Sequence, residues 1–227
     1  MRELGSRLAA DQPDQEVHLF LTHAHYDHVE GLPFFAPFFG EEKKVTVYCG
    51  PLDGSNSTKE TVENLMRRPY FPVGPDVFCA DVNYIDLNHG DAFDLPKGLR
   101  VSTTELNHPG GAIGYRIDFE GHSFACMTDT EHVQGKLDDN VMSMIDGVDA
   151  FIYDCSLTDE EYPDFVGFGH STYEEGLRLQ RETNAGMLIA FHHMPFRIDK
   201  ELLDIEKSLK EPNEQNMIAR EGFKFSI

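Results

Sequence analysis

Apolar positions along the chain fall into two kinds of run. Stretches rich in β-branched and aromatic residues, bounded by Gly, Pro, Asp or Asn, occur at 17–22 (VHLFLT), 45–49 (VTVYC), 99–106 (LRVSTTEL), 112–118 (AIGYRID), 123–128 (SFACMT), 149–154 (DAFIYD) and 187–191 (MLIAF). These read as strands. Between two of them, DFEGHS at 118–123 reads as a hairpin turn around Gly121. Helix-like runs fall at 57–67, 138–146, 172–183 and 199–210. The third carries a start signal, Ser171 as N-cap with Glu174 three residues later, which reads as a capping box. The segment 68–79 (RPYFPVGPDVFC) is Pro-rich and aromatic and reads as a surface loop. No internal repeat is visible, and the mixed order of strands and helices predicts a layered α/β or α+β domain.

Composition narrows the picture. A chain of 227 residues with 40% apolar content and 17 Phe can build a globular core. No apolar run reaches the ~18 residues of a membrane span. The polar N-terminus carries no secretory signal pattern, so a cytoplasmic protein is expected. Cys49, Cys79, Cys126 and Cys155 are scattered without a C-x-x-C pair, as expected of free, buried thiols. Forty acidic residues against 19 basic ones give a net charge of −21. That balance argues against a large nucleic-acid footprint, which needs clustered Lys and Arg. A small anionic substrate stays open, because bound divalent cations invert the local field.

The densest chemistry lies in LTHAHYDHVEG at 21–31, with His23, His25, Asp27 and His28 directly after an apolar strand. Extended backbone points alternate side chains to one face, so His23 and His25 can converge on one point. Asp27 and His28 follow where the chain turns and can converge on a second. Imidazole and carboxylate together suit zinc, and also manganese or iron. One hexapeptide cannot complete two coordination shells. Three later strand ends offer donors: His108 in TELNHPGG, Asp129 in FACMTDTEH, and His192 or His193 in LIAFHHMP.

With these motifs the chain resembles the metallo-β-lactamase superfamily, and within it the branch of the tRNA 3′-processing endonucleases and phosphoribosyl cyclic phosphodiesterases. The resemblance runs from about residue 17 to the end. It implies a single αββα-sandwich domain over 1–227 that binds two divalent metal ions, zinc first. It implies His23, His25 and His108 at one metal, Asp27, His28 and His192 at the other, and Asp129 as the bridge. His192 is preferred to His193 because the branch places a His three positions before a Pro, here Pro195. The branch's GHST motif, at 169–172, puts His170 beside the metals as an assistant in phosphodiester cleavage, with Asp27 able to orient the nucleophile. Asp154, in IYDCS, reads either as orienting a metal-ligand histidine or as a structural residue. The resemblance also implies that strands usual before the first motif are missing, residues 1–10 forming only the helix that follows them. A homodimer covering the exposed strand edge is the corresponding expectation.

The implied activity is a metal-dependent phosphodiesterase acting on a small nucleotide or sugar phosphodiester, cyclic ones included, through a metal-bridging hydroxide. Two alternatives stand beside it: hydrolysis of a carboxyl ester, thioester or lactam by the same core, and a metal-binding homologue that turns nothing over. A tRNA-processing role is disfavoured by the charge.

Overall fold

The structure is a computed structural model describing residues 1–12, 15–50 and 57–227. The chain divides into two compact units, Met1–Asn88 and His89–Ile227.

The N-terminal unit contains α1 (Arg2–Asp11), β1 (Val17–Leu21), the single-turn α2 (Tyr26–Val29), β2 (Lys44–Cys49), α3 (Thr58–Leu65) and β3 (Asp81–Asp86). The helix expected over residues 1–10 is α1. The strands form a parallel sheet in the order β1-β2-β3, with Val17 opposite Val45 and Val47 opposite Tyr84. Parallel strands covered on both faces need near-continuous apolar runs, and VHLFL and KVTVYC supply them. Leu21, Val29, Leu32, Phe35, Phe38, Val45, Val47 and Val62 make the core of this unit. Burying each large side chain contributes roughly 1.5–3 kcal/mol. Ser57 and Glu60 cap α3 reciprocally, Ser57 Oγ accepting from the Glu60 N–H at 3.2 Å and Glu60 Oε2 from the Ser57 N–H at 2.8 Å.

The C-terminal unit holds a seven-stranded sheet in the order β10-β9-β8-β7-β6-β5-β4. Its strands are β4 (Ala92–Leu95), β5 (Leu99–Leu106), β6 (Ala112–Phe119), β7 (His122–Met127), β8 (Ala150–Asp154), β9 (Met187–Phe191) and β10 (Met217–Ile218). Pairing is antiparallel from β4 to β7 and parallel from β7 to β10. The β6–β7 hairpin turns on Glu120 (φ 51°) and Gly121 (φ 87°), the two positive φ values that a two-residue type I′ turn requires.

Helices α4 (Asp139–Ile145), α5 (Tyr173–Thr183) and α6 (Asp199–Lys210) complete this unit. Gly176, Leu179, Gln180 and Thr183 share one buried stripe of α5 at helical spacing. A Cβ on Gly176 would lie 3.1 Å from Leu188 and 3.2 Å from Tyr153, so α5 packs closely over β8 and β9. The cap of α5 differs from the expected Ser171–Glu174 box. Thr172 is the N-cap, its hydroxyl accepting from the Glu175 N–H at 3.1 Å. Ser171 is diverted because its hydroxyl bonds two buried rings instead, His132 Nδ1 at 2.7 Å and Tyr153 Oη at 2.9 Å.

Three strands escape a reading by pattern. β3 (DVNYID) and β4 (AFDL) interleave acids with apolar residues, and β10 spans only two residues. Register with a neighbour, rather than local preference, makes them strands.

Candidate functional site

β5, β7, β8 and β9 all run in one direction, so their C-terminal ends share one rim of the seven-stranded sheet. Each carries a chemically active residue just past that rim or at its last position: His108 after β5, Asp129 after β7, Asp154 ending β8 and His192 after β9. Loops at such a rim are where layered α/β folds gather chemistry.

Asp129 and His192 both adopt left-handed backbone conformations, each with φ 58°. Such a conformation costs of order 1–3 kcal/mol for a residue other than glycine. Here the strain turns both side chains towards one point. His192 Nε2 lies 3.4 Å from Asp129 Oδ2, and His108 Nε2 lies 3.9 Å from the same oxygen. Both rings are held from the opposite side through Nδ1. His108 Nδ1–H donates to the Gly169 carbonyl at 2.8 Å, and His192 Nδ1 meets Ser156 Oγ at 3.0 Å. These bonds at Nδ1 hold both rings with Nε2 facing Asp129. His193, next in sequence, is not drawn to Asp129. Its ring is buried, which with the nearby Arg197 charge pushes its pKa below the ordinary histidine range.

Around this pair lies a second cluster. Asp154, His170 and His192 each bring a ligand-type atom within 4.8 Å of the others. His170 Nδ1 sits 2.9 Å from Asp154 Oδ2, and its ring stacks on His192 with centroids 4.8 Å apart. Asp154 is fully buried, and its other oxygen accepts from Ser156 Oγ at 2.7 Å and from the Ser156 N–H at 3.1 Å. Ser156 Oγ also lies 2.5 Å from the His192 carbonyl. One serine hydroxyl thus joins the carboxylate behind His170 to the ring and backbone of His192.

In the N-terminal unit, His23, His25, Asp27 and His28 occupy the end of β1 and the first turn of α2. The His23 ring is buried, with centroids of His25 and His28 at 4.6 and 4.3 Å, and Thr22 Oγ1 meets its Nδ1 at 3.1 Å. Asp27 Oδ2 lies 3.3 Å from His28 Nε2. The extended backbone through His25 (φ −64°, ψ 147°) gives way to helix at Tyr26, which is the change of direction the spacing predicts.

The cysteines divide. Cys49 and Cys155 are buried, Cys126 is half-buried and Cys79 is exposed, which corrects the expectation of four buried thiols. Burial pushes the Cys49 and Cys126 thiols up to about 12 and Cys155 well above its ordinary value, so these three stay protonated at neutral pH.

The chain as a whole is similar to known proteins. The family described as Beta-lactamase superfamily domain matches residues 3–193. The chain belongs to that superfamily. Ribonuclease Z of Staphylococcus carnosus is 32% identical over 104 residues, covering 44% of this chain and 31% of that enzyme. The matched segment therefore spans about a third of that relative's length. Among solved structures, the metallo-β-lactamase fold protein YhfI of Bacillus subtilis superposes with a TM-score of 0.68 at 19% identity, over 96% of this chain and 81% of that one. A diphosphatase of the PhnP family gives a TM-score of 0.63 at 18% identity, over 98% and 76% of the two chains. The fold is that of the metallo-β-lactamases, as the sequence predicts. No helix among the described residues is long and apolar enough to cross a membrane.

Sequence reading missed Ser156, Glu131 and His132. Ser156 lies two residues after Asp154, a spacing at which a Ser hydroxyl reaches a carboxylate. Glu131 and His132 have partners 36 to 39 residues away, for which local sequence holds no signal.

Proposed function

We propose that this protein is a dinuclear metal hydrolase that cleaves phosphodiesters, with small nucleotide or sugar phosphodiesters as substrates. The observation that carries the reading is the Asp154–His170–His192 cluster, a histidine backed by a buried carboxylate and stacked on a candidate metal ligand.

The residues fit metal binding. Two imidazoles aim Nε2 at one carboxylate oxygen, and each is oriented by a hydrogen bond at Nδ1. That donor set suits zinc. In this proposal His23, His25 and His108 would hold one ion and Asp27, His28 and His192 the other, with Asp129 available to both. Bound ions of this kind supply Lewis acidity and lower the pKa of water from ~15.7 towards ~7. The chain's own residues do the rest. Asp154 accepts the Nδ1–H of His170 and stabilises the imidazolium form. His170 then holds a proton at Nε2 and releases it to the departing oxygen, which leaves poorly as an alkoxide. Asp27, the more exposed carboxylate, orients the attacking water.

The relative named ribonuclease Z favours RNA as a second substrate class. A net charge of −21 opposes it, since phosphate backbones are held by clustered cations.

Metal content and turnover of bis(p-nitrophenyl) phosphate, nitrocefin, a thioester and a precursor tRNA test the reading together. Two metals per chain with turnover of the phosphodiester alone is the expected result. Turnover confined to nitrocefin or the thioester would overturn it. His170→Ala should keep both metals and lower kcat by roughly a hundredfold or more on poor leaving groups, and by less on p-nitrophenolate. An equal loss on both would make His170 a structural residue.

A further inference from the structure

We infer that Glu131 is a positioning residue that sets His108 and His170 by clamping the glycine-rich loop between them; the inference rests on the metal-site reading above.

The clamp is a closed circuit of hydrogen bonds. Glu131 is anchored at its backbone, where its N–H donates to the Asn107 carbonyl at 2.8 Å and its carbonyl accepts from Asn107 Nδ2 at 2.8 Å. Its carboxylate reaches across to residues 36 to 38 positions later. Oε2 accepts the Gly167 N–H at 2.8 Å and the Gly169 N–H at 2.7 Å, and Oε1 lies 2.9 Å from the Gly167 nitrogen. The Gly169 carbonyl in turn accepts from His108 Nδ1, and His108 is the residue after Asn107. The carboxylate thus holds the N–H side of Gly169, the residue whose carbonyl fixes the tautomer and direction of His108.

The same segment brackets His170. Glu131 holds residue 169 on one side. His132 holds residue 171 on the other, through its ring bond to Ser171 Oγ at 2.7 Å. His132 is itself pinned, its carbonyl accepting from the Tyr162 hydroxyl and its ring stacking on Tyr162 at 4.1 Å. With both flanking residues held, the short link at His170 presents its ring to Asp154. Hydrogen bonds to an ionised carboxylate are the stronger kind, which suits a loop that carries two functional rings. Gly167 and Gly169 have φ of 92° and 85°, so their N–H groups converge on one carboxylate in a conformation other residues rarely adopt.

The test compares Glu131→Ala with Glu131→Gln in the full chain. The first readout is zinc affinity, by competition with a chromophoric chelator. The second is amide hydrogen exchange at Gly167 and Gly169. Glu131→Ala should bind zinc roughly tenfold to a hundredfold more weakly, the range for partners that orient metal ligands. Its two glycine amides should exchange at least about tenfold faster. Glu131→Gln, which keeps an oxygen acceptor, should recover part of both. Unchanged zinc affinity and exchange in Glu131→Ala would overturn the inference. So would a urea midpoint that collapses equally in both variants, because Glu131 would then be holding the fold and not the site. A wild-type protein that binds zinc but hydrolyses no phosphodiester ends the functional proposal and leaves zinc affinity to decide on Glu131. One that binds no zinc ends that proposal too, and exchange together with the His108 Nδ1–H resonance then decides.

Discussion

Replacing Gly169 by Ala tests the geometry beneath His108 with a single methyl group. A Cβ at residue 169 would lie 2.3 Å from His108 Nδ1, 2.3 Å from Pro109 Cδ and 2.7 Å from His108 Cε1. No real Cβ is accommodated at those distances, so the imidazole, the Pro109 ring or the 167–169 loop must move. The backbone adds its own cost, because φ is +85° at this position. Left-handed backbone costs an L-residue about 1–2 kcal/mol. Overpacking against buried atoms adds about 1–3 kcal/mol. Gly167→Ala is the internal control. Its φ is 92°, yet no atom lies within 4 Å of the added Cβ, so it carries the backbone cost alone. The difference between the two variants therefore isolates the collision with His108 and Pro109. Urea unfolding of metal-free protein should place Gly169→Ala about 1–3 kcal/mol below Gly167→Ala. In a thermal scan of a chain this size, that difference is roughly 2–12 °C. Zinc binding should fall only in Gly169→Ala, because only that methyl displaces the ring. Equal stabilities and equal zinc affinities would show that residue 169 and His108 are not in contact in solution, and the account of how His108 is aimed would fail.

Two further outcomes follow from the same site. Ser156→Ala cuts the tie between Asp154 and His192 while leaving the 2.9 Å His170–Asp154 bond in place; a chelator competition should show zinc held roughly 10- to 100-fold more weakly, and unchanged affinity would remove Ser156 from the site. His132 is held below its ordinary pKa, chiefly by burial, so the folded state binds fewer protons there than the unfolded chain does. The stability it contributes is complete above the unfolded value of ~6.5 and drains away as pH falls through that value towards the lower folded one. Urea midpoints at pH 7.5 and pH 5 should therefore differ less for His132→Asn than for the wild type, and an unchanged difference would count against a neutral, buried His132.

How much of this was legible beforehand depends on the range of the forces involved. Leu99–Leu106 and Met187–Phe191 were readable to the residue because Gly98 and Asn107 bound the first run and Gly186 and His192 the second. The turn within the H-x-H-x-D-H segment was readable because it is local: a strand end gives way to one helical turn, and the rings of His25 and His28 lie 4.6 and 4.3 Å from that of His23. β3 was not, since DVNYID becomes a strand by pairing Val82 with Val45 and Tyr84 with Val47. Ser171 departs from its local signal for a related reason. Its sequence context is that of a helix cap, but Tyr153 and His132 compete for the hydroxyl from 18 and 39 positions away. A cap is worth about 1 kcal/mol and can be taken over by the next residue, Thr172. Two buried polar rings left without a partner would cost more, about 1–3 kcal/mol each. The local rule yields wherever a distant buried group needs the same atom, and along this sheet rim such groups are concentrated. The orientation of His108, His170 and His192 rests on Gly169, Asp154 and Ser156, and that layer is visible only when the rim is assembled.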